Sequence, residues 1–216
     1  MSPPRIRYQT LEFENVDIHI RALRDKQEFS DDDGEAERLG ISSAQWSLFG
    51  VLWIAGEALA RHLHDYNIEG LRILEVGCGL GLSSIVLNHR NADITATDYH
   101  PEAGRFLNKN TQLNHDDEIP FIRTGWADEE SDLGDFDLIV GADLLYEREH
   151  AALLSSFVDQ HAREHCTVIL TDPGRGHQNR FGREMEALGY IQSRTRTTHA
   201  ETMTREFTGW LHRYSR

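Results

Sequence analysis

The chain has 216 residues, of which 36 are acidic and 22 basic, so its formal net charge is −14. A chain of this length can bury a hydrophobic core without covalent staples, and its only cysteines, Cys78 and Cys166, exclude a disulfide-rich secreted fold. Its apolar runs are too short for a membrane span and it has no signal-peptide pattern, so we expect a soluble, cytoplasmic protein. The negative charge disfavours nucleic acid as a partner.

The first forty residues predict a hairpin followed by an exposed connection. Apolar residues alternate with polar ones from Val16 to Ala22, and a rougher alternation precedes them, so two strands should meet at a turn near Glu14 and Asn15. Residues 30–40 are polar and acidic without periodicity, which is typical of an exposed connection. We therefore predict a hairpin with an acidic linker over residues 1–40 and a main domain over residues 41–216.

The main domain is predicted to alternate strands with helices. Helical spacing of apolar residues begins at Ser43 and predicts a helix that ends before Gly70. Beyond it, apolar runs predict strands at 71–76, 94–97, 121–124, 136–141 and 167–170, and helical spacing predicts helices at 82–90, 101–113, 148–163 and 177–188. Repeated β-α units require a mostly parallel sheet with right-handed crossovers. The last two runs, 190–195 and 205–214, predict an antiparallel hairpin at the sheet edge.

A glycine-rich loop follows the first strand of the main domain. Residues 74–81 read Leu-Glu-Val-Gly-Cys-Gly-Leu-Gly, and a helix is predicted directly after them. Glycines there let the backbone approach a ligand, while the free N–H groups of the helix start face it. The spacing fails the dinucleotide fingerprint, which needs its third glycine at Leu82, and no phosphate-loop Gly-Lys-Ser/Thr follows. The pattern E-x-G-x-G-x-G instead resembles the first motif of class I S-adenosylmethionine-dependent methyltransferases.

This resemblance implies a Rossmann-like α/β fold: a seven-stranded, mostly parallel sheet with helices on both faces and an antiparallel edge hairpin. It also implies S-adenosylmethionine as cofactor. Glu75 suits the cationic groups of that molecule, and the carboxylate of Asp98 ends the next strand, where ribose hydroxyls can donate to it. The implied cofactor contacts are Trp53, Glu75, Gly77, Cys78, Gly79, Gly81, Asp98, Tyr99, Trp126 and Ala142. An NAD-type cofactor, or a capped turn without a ligand, remains an alternative reading of the loop.

The segment after the third strand, Gly125-Trp126-Ala127-Asp128, lies where methyltransferases of this class hold the adenine. Trp126 could stack on the adenine ring, and Asp128 could accept a hydrogen bond from its exocyclic amine. The alternative for Trp126 is an ordinary, partly buried core aromatic.

The end of the fourth strand points to the methyl acceptor. Asp143 and Tyr146 form a D-x-x-Y pattern there, which resembles the hallmark of the seven-strand protein-lysine methyltransferases. Trp53 with Gly56 agrees with this resemblance, and the Asp-Pro-Gly-Arg at 172–175 resembles the branch directed at the electron-transfer-flavoprotein β-subunit. The family's chemistry implies that Asp143 orients the incoming amine and that Tyr146 walls its channel. Alternatively, Asp143 caps a short helix with Tyr146 in its first turn, and Asp172 only forms a turn.

The sequence also contains a possible zinc motif. His161 and His165 match the pattern H-x-x-E-H, but that segment should end a helix at the sheet edge opposite the cofactor cleft, so no metal site is expected. We therefore predict a methyltransferase that acts on a lysine Nε of a protein, with no metal and with no nucleic-acid or membrane partner. The alternatives are a small-molecule N-methyltransferase and a cofactor-binding scaffold subunit; the sequence does not indicate an oligomeric state.

Overall fold

A computed structural model describes residues 4–128, 133–196 and 203–216. The predicted N-terminal hairpin is present, with β1 (Ile6–Glu12) antiparallel to β2 (Asp17–Leu23). Ile18 and Ile20 of β2 are fully buried and belong to the same hydrophobic cluster as the main sheet. The hairpin therefore shares a core with the rest of the chain, and the division at residue 40 stays a prediction.

Seven strands form the main sheet in the order β5-β4-β3-β6-β7-β9-β8. They are β3 (Arg72–Val76), β4 (Asp93–Asp98), β5 (Phe121–Arg123), β6 (Phe136–Ala142), β7 (Ala162–Asp172), β8 (Ile191–Thr195) and β9 (Trp210–Ser215). Strands β3 to β7 are parallel, whereas β9 runs antiparallel to both β7 and β8. The predicted mostly parallel sheet with an antiparallel edge hairpin is confirmed.

Helices cover both faces of this sheet, as predicted. They are α2 (Ile54–Asp65), α3 (Leu82–His89), α4 (Ala103–Leu113), α5 (His150–His161) and α6 (Gln178–Ala187). Side chains alternate across β3, so that Ile73 packs into a cluster with α2, α3 and α4, and Leu74 into a cluster with α5 and α6. Glu75 follows on the same face as Ile73, which directs its carboxylate toward the start of α3.

The helix predicted from Ser43 begins only at Ile54. A single 3₁₀ turn, Leu48–Gly50, and irregular backbone occupy the residues before it. Two indole N–H groups hold this backbone, since Trp46 donates to the Ile41 carbonyl at 3.0 Å and Trp53 to the Leu48 carbonyl at 2.9 Å. The apolar side chains of this segment line a cavity above the sheet instead of one face of a helix.

The acidic stretch at 30–40 is also more ordered than predicted. It contains a short helix, α1 (Glu35–Arg38), and the carboxylate of Asp31 accepts hydrogen bonds from the backbone N–H groups of Ala36 at 3.0 Å and Glu37 at 2.8 Å. Side-chain oxygens that bond nearby N–H groups in this way fix a local backbone conformation. The composition predicted exposure correctly but missed this local hydrogen bonding.

Candidate active site

One cavity of about 640 Å³ opens at the carboxyl ends of the parallel strands. It is lined by these predicted site residues: Trp53, Glu75, Gly77, Cys78, Gly79, Asp98, Tyr99, Trp126, Ala142, Asp143 and Tyr146. Open α/β sheets bind their ligands at this edge, because the strand ends and the loops after them converge there. Gly81 does not line the cavity; it is the residue before α3, and its role as a cofactor contact stays a prediction.

The glycine loop forms part of the floor of the cavity through Gly77, Cys78 and Gly79. Gly79 has a φ of 54°, and a Cβ there would lie 2.9 Å from the carbonyl oxygen of Phe49, so only glycine fits without strain. Its N–H donates to Oδ2 of Asp98 at 2.8 Å. Gly81 has a φ of 76°, a left-handed conformation that strains a residue with a side chain. The glycines are therefore required by the fold of the loop itself.

The carboxylate of Asp98 is fixed at the end of β4 by two backbone donors. Oδ2 accepts from Gly79 and Oδ1 accepts from the N–H of His100, each at 2.8 Å. Burial raises the pKa of Asp98 above its usual value, although these N–H donors oppose the shift. A carboxylate oxygen has two lone pairs, so each oxygen can accept one further hydrogen bond from a ligand in the cavity.

Glu75 is a second, more deeply buried carboxyl group on the same wall. It is 4% exposed, and its Oε2 accepts from both the N–H and the hydroxyl of Ser84 in the first turn of α3. Burial raises the pKa of Glu75 to about 7, against the opposing effect of the Ser84 donors. The Glu75 carboxyl is therefore half-protonated near pH 7, and a cationic ligand beside it would stabilise its ionised form.

The raised pKa of Glu75 predicts a dependence of stability on pH. Between about pH 4.5 and 7 the unfolded chain has released this proton while the folded chain keeps it, so folding stability falls as pH rises through that window. The total loss over the full titration is about 3–4 kcal/mol, at about 1.4 kcal/mol per pKa unit. Glu75→Gln keeps an oxygen acceptor for Ser84 and removes the titration.

Denaturant unfolding from pH 4.5 to 8 measures this effect. The wild-type curve of unfolding free energy against pH should fall relative to that of Glu75→Gln, and the two should run parallel above pH 7.5. Glu69→Gln, at an exposed position before Gly70, is the matched control and should follow the wild type. Parallel curves for wild type and Glu75→Gln over the whole range would contradict the raised pKa of Glu75.

Aromatic side chains form the wall next to Asp98. Tyr99 is exposed on the cavity side, and its hydroxyl donates to the carbonyl of Leu39 at 2.6 Å. Trp126 is half-buried, with its ring edge-to-face with His150 at a centroid distance of 5.2 Å. Asp128 also lines the cavity, but its Oδ2 accepts from the N–H of Gly125 at 2.6 Å. Asp128 therefore closes the turn that presents Trp126.

Asp143, the residue predicted to orient the acceptor amine, lies directly after β6. Its φ is 56°, in the left-handed region that aspartate tolerates better than most residues, and its N–H donates to the carbonyl of Thr171 at 2.8 Å. No helix begins at Asp143, since α5 starts only at His150, so the alternative reading as a helix cap is wrong. The side chain is 8% exposed and faces the cavity.

Arg175 donates hydrogen bonds to both carboxylate oxygens of Asp143. The Nε of Arg175 lies 2.5 Å from Oδ1 and its Nη2 lies 2.6 Å from Oδ2, which is the two-point geometry of a strong guanidinium-carboxylate pair. Asp172 forms the turn that carries Arg175, accepting from the N–H groups of Gly174 at 2.6 Å and Arg175 at 3.1 Å. The turn interpretation of Asp172 is therefore correct.

Tyr146 stands at the mouth of the cavity beside Asp143. It is 41% exposed, and its ring packs edge-to-face on His150 with centroids 4.5 Å apart. Burial of the phenol oxygen, together with the nearby carboxylates of Asp98, Glu147 and Asp143, raises the pKa of Tyr146 to about 12. The group is therefore a neutral phenol near pH 7, able to donate a hydrogen bond but not to act as a base.

Sequence reasoning missed the strap, residues 30–47, that closes over the cavity. Gly40 and Ile41 line the cavity, Tyr99 holds the strap through Leu39, and the amide of Gln45 donates to the carboxylate of Glu147 across the mouth. No motif in residues 30–47 predicts these contacts. The acidic composition of the strap pointed away from a role at the site.

No metal site accompanies this cavity in the part of the chain that the structure describes, where no group of three metal-ligating side chains is close enough to hold an ion. Helix α5 ends at His161, whose Nδ1 lies 3.0 Å from the carbonyl oxygen of Gly134. His165 lies in β7, so the two histidines do not share a helix face. In residues 4–128, 133–196 and 203–216 no helix is long and apolar enough to cross a membrane.

Comparison with known proteins identifies the family. The family model described as lysine methyltransferase matches residues 37–187, which include both the glycine loop and Asp143. The chain belongs to this lysine methyltransferase family. The matched region begins inside the strap and ends with α6, so it contains the strands and helices that form the cavity.

Proteins named as lysine methyltransferases resemble the chain at moderate identity. The electron transfer flavoprotein beta subunit lysine methyltransferase of Xenopus laevis is 34% identical over 131 residues, 59% of this chain and 52% of that protein. Protein N-lysine methyltransferase METTL21A of Danio rerio is 32% identical over 142 residues, 62% of this chain and 61% of that protein. The chain thus spans about half of the length of the first of these relatives and three-fifths of the second.

Solved structures confirm the fold. Magnesium protoporphyrin IX methyltransferase from Synechocystis, determined with bound SAM, superposes with a TM-score of 0.58 at 19% identity. The match covers 74% of this chain and 77% of that protein. The resemblance to class I methyltransferases that the glycine loop indicated is confirmed, and the roles of the individual site residues stay predictions.

Proposed function

We propose that this protein is an S-adenosylmethionine-dependent methyltransferase that methylates the Nε amine of a lysine in a protein substrate. The observation that carries the proposal is the position of the Asp143 carboxylate, which lines the same cavity as Glu75 and Asp98 and already binds a cationic side chain. A carboxylate in this position suits a primary amine that arrives as an ammonium ion. Membership of the family, and relatives named for lysine methylation, support the same acceptor.

The residues around the cavity fit S-adenosylmethionine. A volume of about 640 Å³ is within the usual range for small-molecule sites. Glu75 offers a buried carboxyl group for an ammonium, and Asp98 offers a fixed carboxylate for two hydroxyl groups. Tyr99 and Trp126 offer aromatic surface for a base on the adjacent wall. Charge and aromatic surface are therefore arranged as the cofactor's amino acid, ribose and adenine require.

Bound there, S-adenosylmethionine would supply an activated methyl group, whose C–S bond breaks with its electron pair left on sulfur as the N–C bond forms. The protein must hold the attacking nitrogen in line with that bond. Asp143 would accept a hydrogen bond from the lysine nitrogen and orient it, and would help to remove its proton. Keeping a lysine neutral at pH 7 costs about 4.6 kcal/mol, and burial of the amine beside a cation reduces that cost. Tyr146, a neutral phenol, would form the channel wall.

The openness of the acceptor end favours a protein substrate over a small molecule. Tyr146 is 41% exposed at the mouth, so a lysine that projects from a large surface could reach Asp143 without being enclosed. The net charge of −14 would also attract a basic segment and speed its encounter with the site. The same charge argues against nucleic acid as the substrate.

Labelled methyl transfer in a lysate of the native host tests the proposal. The protein is incubated with methyl-labelled cofactor and lysate, labelled material is separated by size, and modified residues are mapped by mass spectrometry. Label on a lysine of a protein band is the expected result. Label only in the small-molecule fraction would favour the small-molecule enzyme, whereas cofactor binding and a copurifying partner without any label would favour the scaffold.

A further inference from the structure

The strongest contact at the acceptor end of the cavity is made within the chain itself. Arg175 engages both oxygens of Asp143, the carboxylate proposed to receive the acceptor amine. Asp143 is 8% exposed, whereas the side chain of Arg175 is 40% exposed and lines the mouth. A lysine ammonium that approached from solvent would therefore meet the guanidinium before it met the carboxylate.

The turn that carries Arg175 is anchored by Asp172, a residue that does not line the cavity. Asp172, 2% exposed at the end of β7, anchors the turn through the N–H groups of Gly174 and Arg175. Gly174 and Gly176 flank the arginine with φ of 97° and 96°, and a Cβ at either glycine would meet no atom within 4 Å. The carboxylate of Asp172 thus fixes the base of the turn, while open space surrounds both glycines beside the arginine.

We propose that Arg175 is the gate of the acceptor subsite: its guanidinium occupies the place on Asp143 that the acceptor lysine takes during transfer. This inference rests on the proposed lysine methylation. Entry of the substrate exchanges one cation for another on the same carboxylate, so Asp143 is never left as an unpaired buried charge, which is costly. The released guanidinium returns to water, because its side chain is already partly exposed. Arg175 therefore sets the affinity for the acceptor and excludes weakly binding amines.

The first test separates gating from a merely structural role. Arg175→Gln removes the competing cation, so KM for the protein acceptor should fall by about twofold to fivefold, the effect of removing one partly exposed ion pair. The dissociation constant of the cofactor should not change. If Arg175 only supported the fold of the site, kcat would fall and KM would stay the same or rise.

The second test asks whether the side chain at 175 reaches the transfer position. In Arg175→Lys the amine lies at the level of the arginine Cζ, between the two atoms that contact Asp143. Its nitrogen should then attack the methyl group of bound cofactor, with the C–S bond breaking and the proton passing to Asp143 or solvent. Peptide mass spectrometry should find methylation at position 175. Its first-order rate constant should not depend on enzyme concentration, because the reaction occurs within one molecule.

Matched variants make the result specific. Arg180→Lys introduces a lysine on α6 five residues away and should remain unmethylated at that position, as should Lys109 of the native sequence, which does not line the cavity. If wild type methylates its acceptor but Arg175→Gln leaves KM unchanged and Arg175→Lys stays unmodified at 175, the gate is wrong and the proposed function stands. If wild type transfers methyl to no acceptor in the presence of cofactor, both proposals fail together.

Discussion

Replacing Asp143 by asparagine is expected to lower the rate of methyl transfer by about 10²- to 10⁴-fold, the usual contribution of a group that moves a proton in the transition state. The variant keeps the size of the side chain and tolerates the φ of 56°, so the loop after β6 should keep its path. Asparagine cannot take up the proton and carries no charge to orient an ammonium. Initial rates with labelled cofactor and a mapped protein acceptor measure the loss.

The same preparation should bind cofactor with a dissociation constant within about threefold of the wild type, because Asp143 is proposed to bind the acceptor, and Glu75 and Asp98, the carboxylates proposed to bind the cofactor, are untouched. Asp135→Asn is the matched control, since Asp135 is exposed just before the amino end of β6. It should leave both transfer and binding unchanged. Turnover retained by Asp143→Asn would rule out the role of Asp143 in the reaction.

The sequence predicted the floor of this cavity well because its residues are set by local rules. Glu75, the glycine loop and Asp98 lie at the ends of two apolar runs, and parallel strands bring such ends to one edge of a sheet. Asp143 follows the same rule at the end of β6. Strand direction and order therefore decide where these groups lie, and both follow from the β-α alternation.

The mouth of the cavity could not be predicted in the same way. The pair of Arg175 and Asp143 joins residues 32 positions apart, and it depends on the turn at Asp172 and on one rotamer of the arginine. The strap is held by Tyr99, whose hydroxyl contacts a carbonyl 60 positions earlier. Contacts of this kind are decided by tertiary packing, and no periodicity in the sequence records them.

Two misplaced boundaries have packing causes. Apolar spacing after Ser43 matched a helix, but these residues line the cavity from irregular backbone that two indole groups hold. The last strand was predicted from Arg205 and begins at Trp210. Before it, Phe207 packs against Ala55 and Ala58 of α2, and Gly209 lies so close to the carbonyl of Asp172 that its Cβ would be 2.3 Å away. In both cases tertiary packing overrode the local pattern.

Replacing Asp98 by alanine is expected to raise the dissociation constant of the cofactor by at least about 100-fold. The carboxylate would receive the two ribose hydroxyls, and each hydrogen bond to a charged group contributes about 1.5–3 kcal/mol, so that losing both weakens binding by about 3 kcal/mol or more. The substitution also frees the N–H groups of Gly79 and His100, which loosens the glycine loop. Isothermal titration calorimetry measures the affinity, with Asp93→Asn, exposed at the other end of β4, as the control.

A cofactor analogue that lacks one ribose hydroxyl distinguishes direct contact from a loosened loop. If Asp98 binds the ribose, removing the 2′-hydroxyl should weaken binding to the wild type by about tenfold and weaken binding to Asp98→Ala hardly at all, because the partner of that hydroxyl is already absent. If Asp98 only anchors the loop, the analogue should lose the same factor on both proteins. Equal losses would assign Asp98 to the structure of the loop and leave the ribose contact to another group.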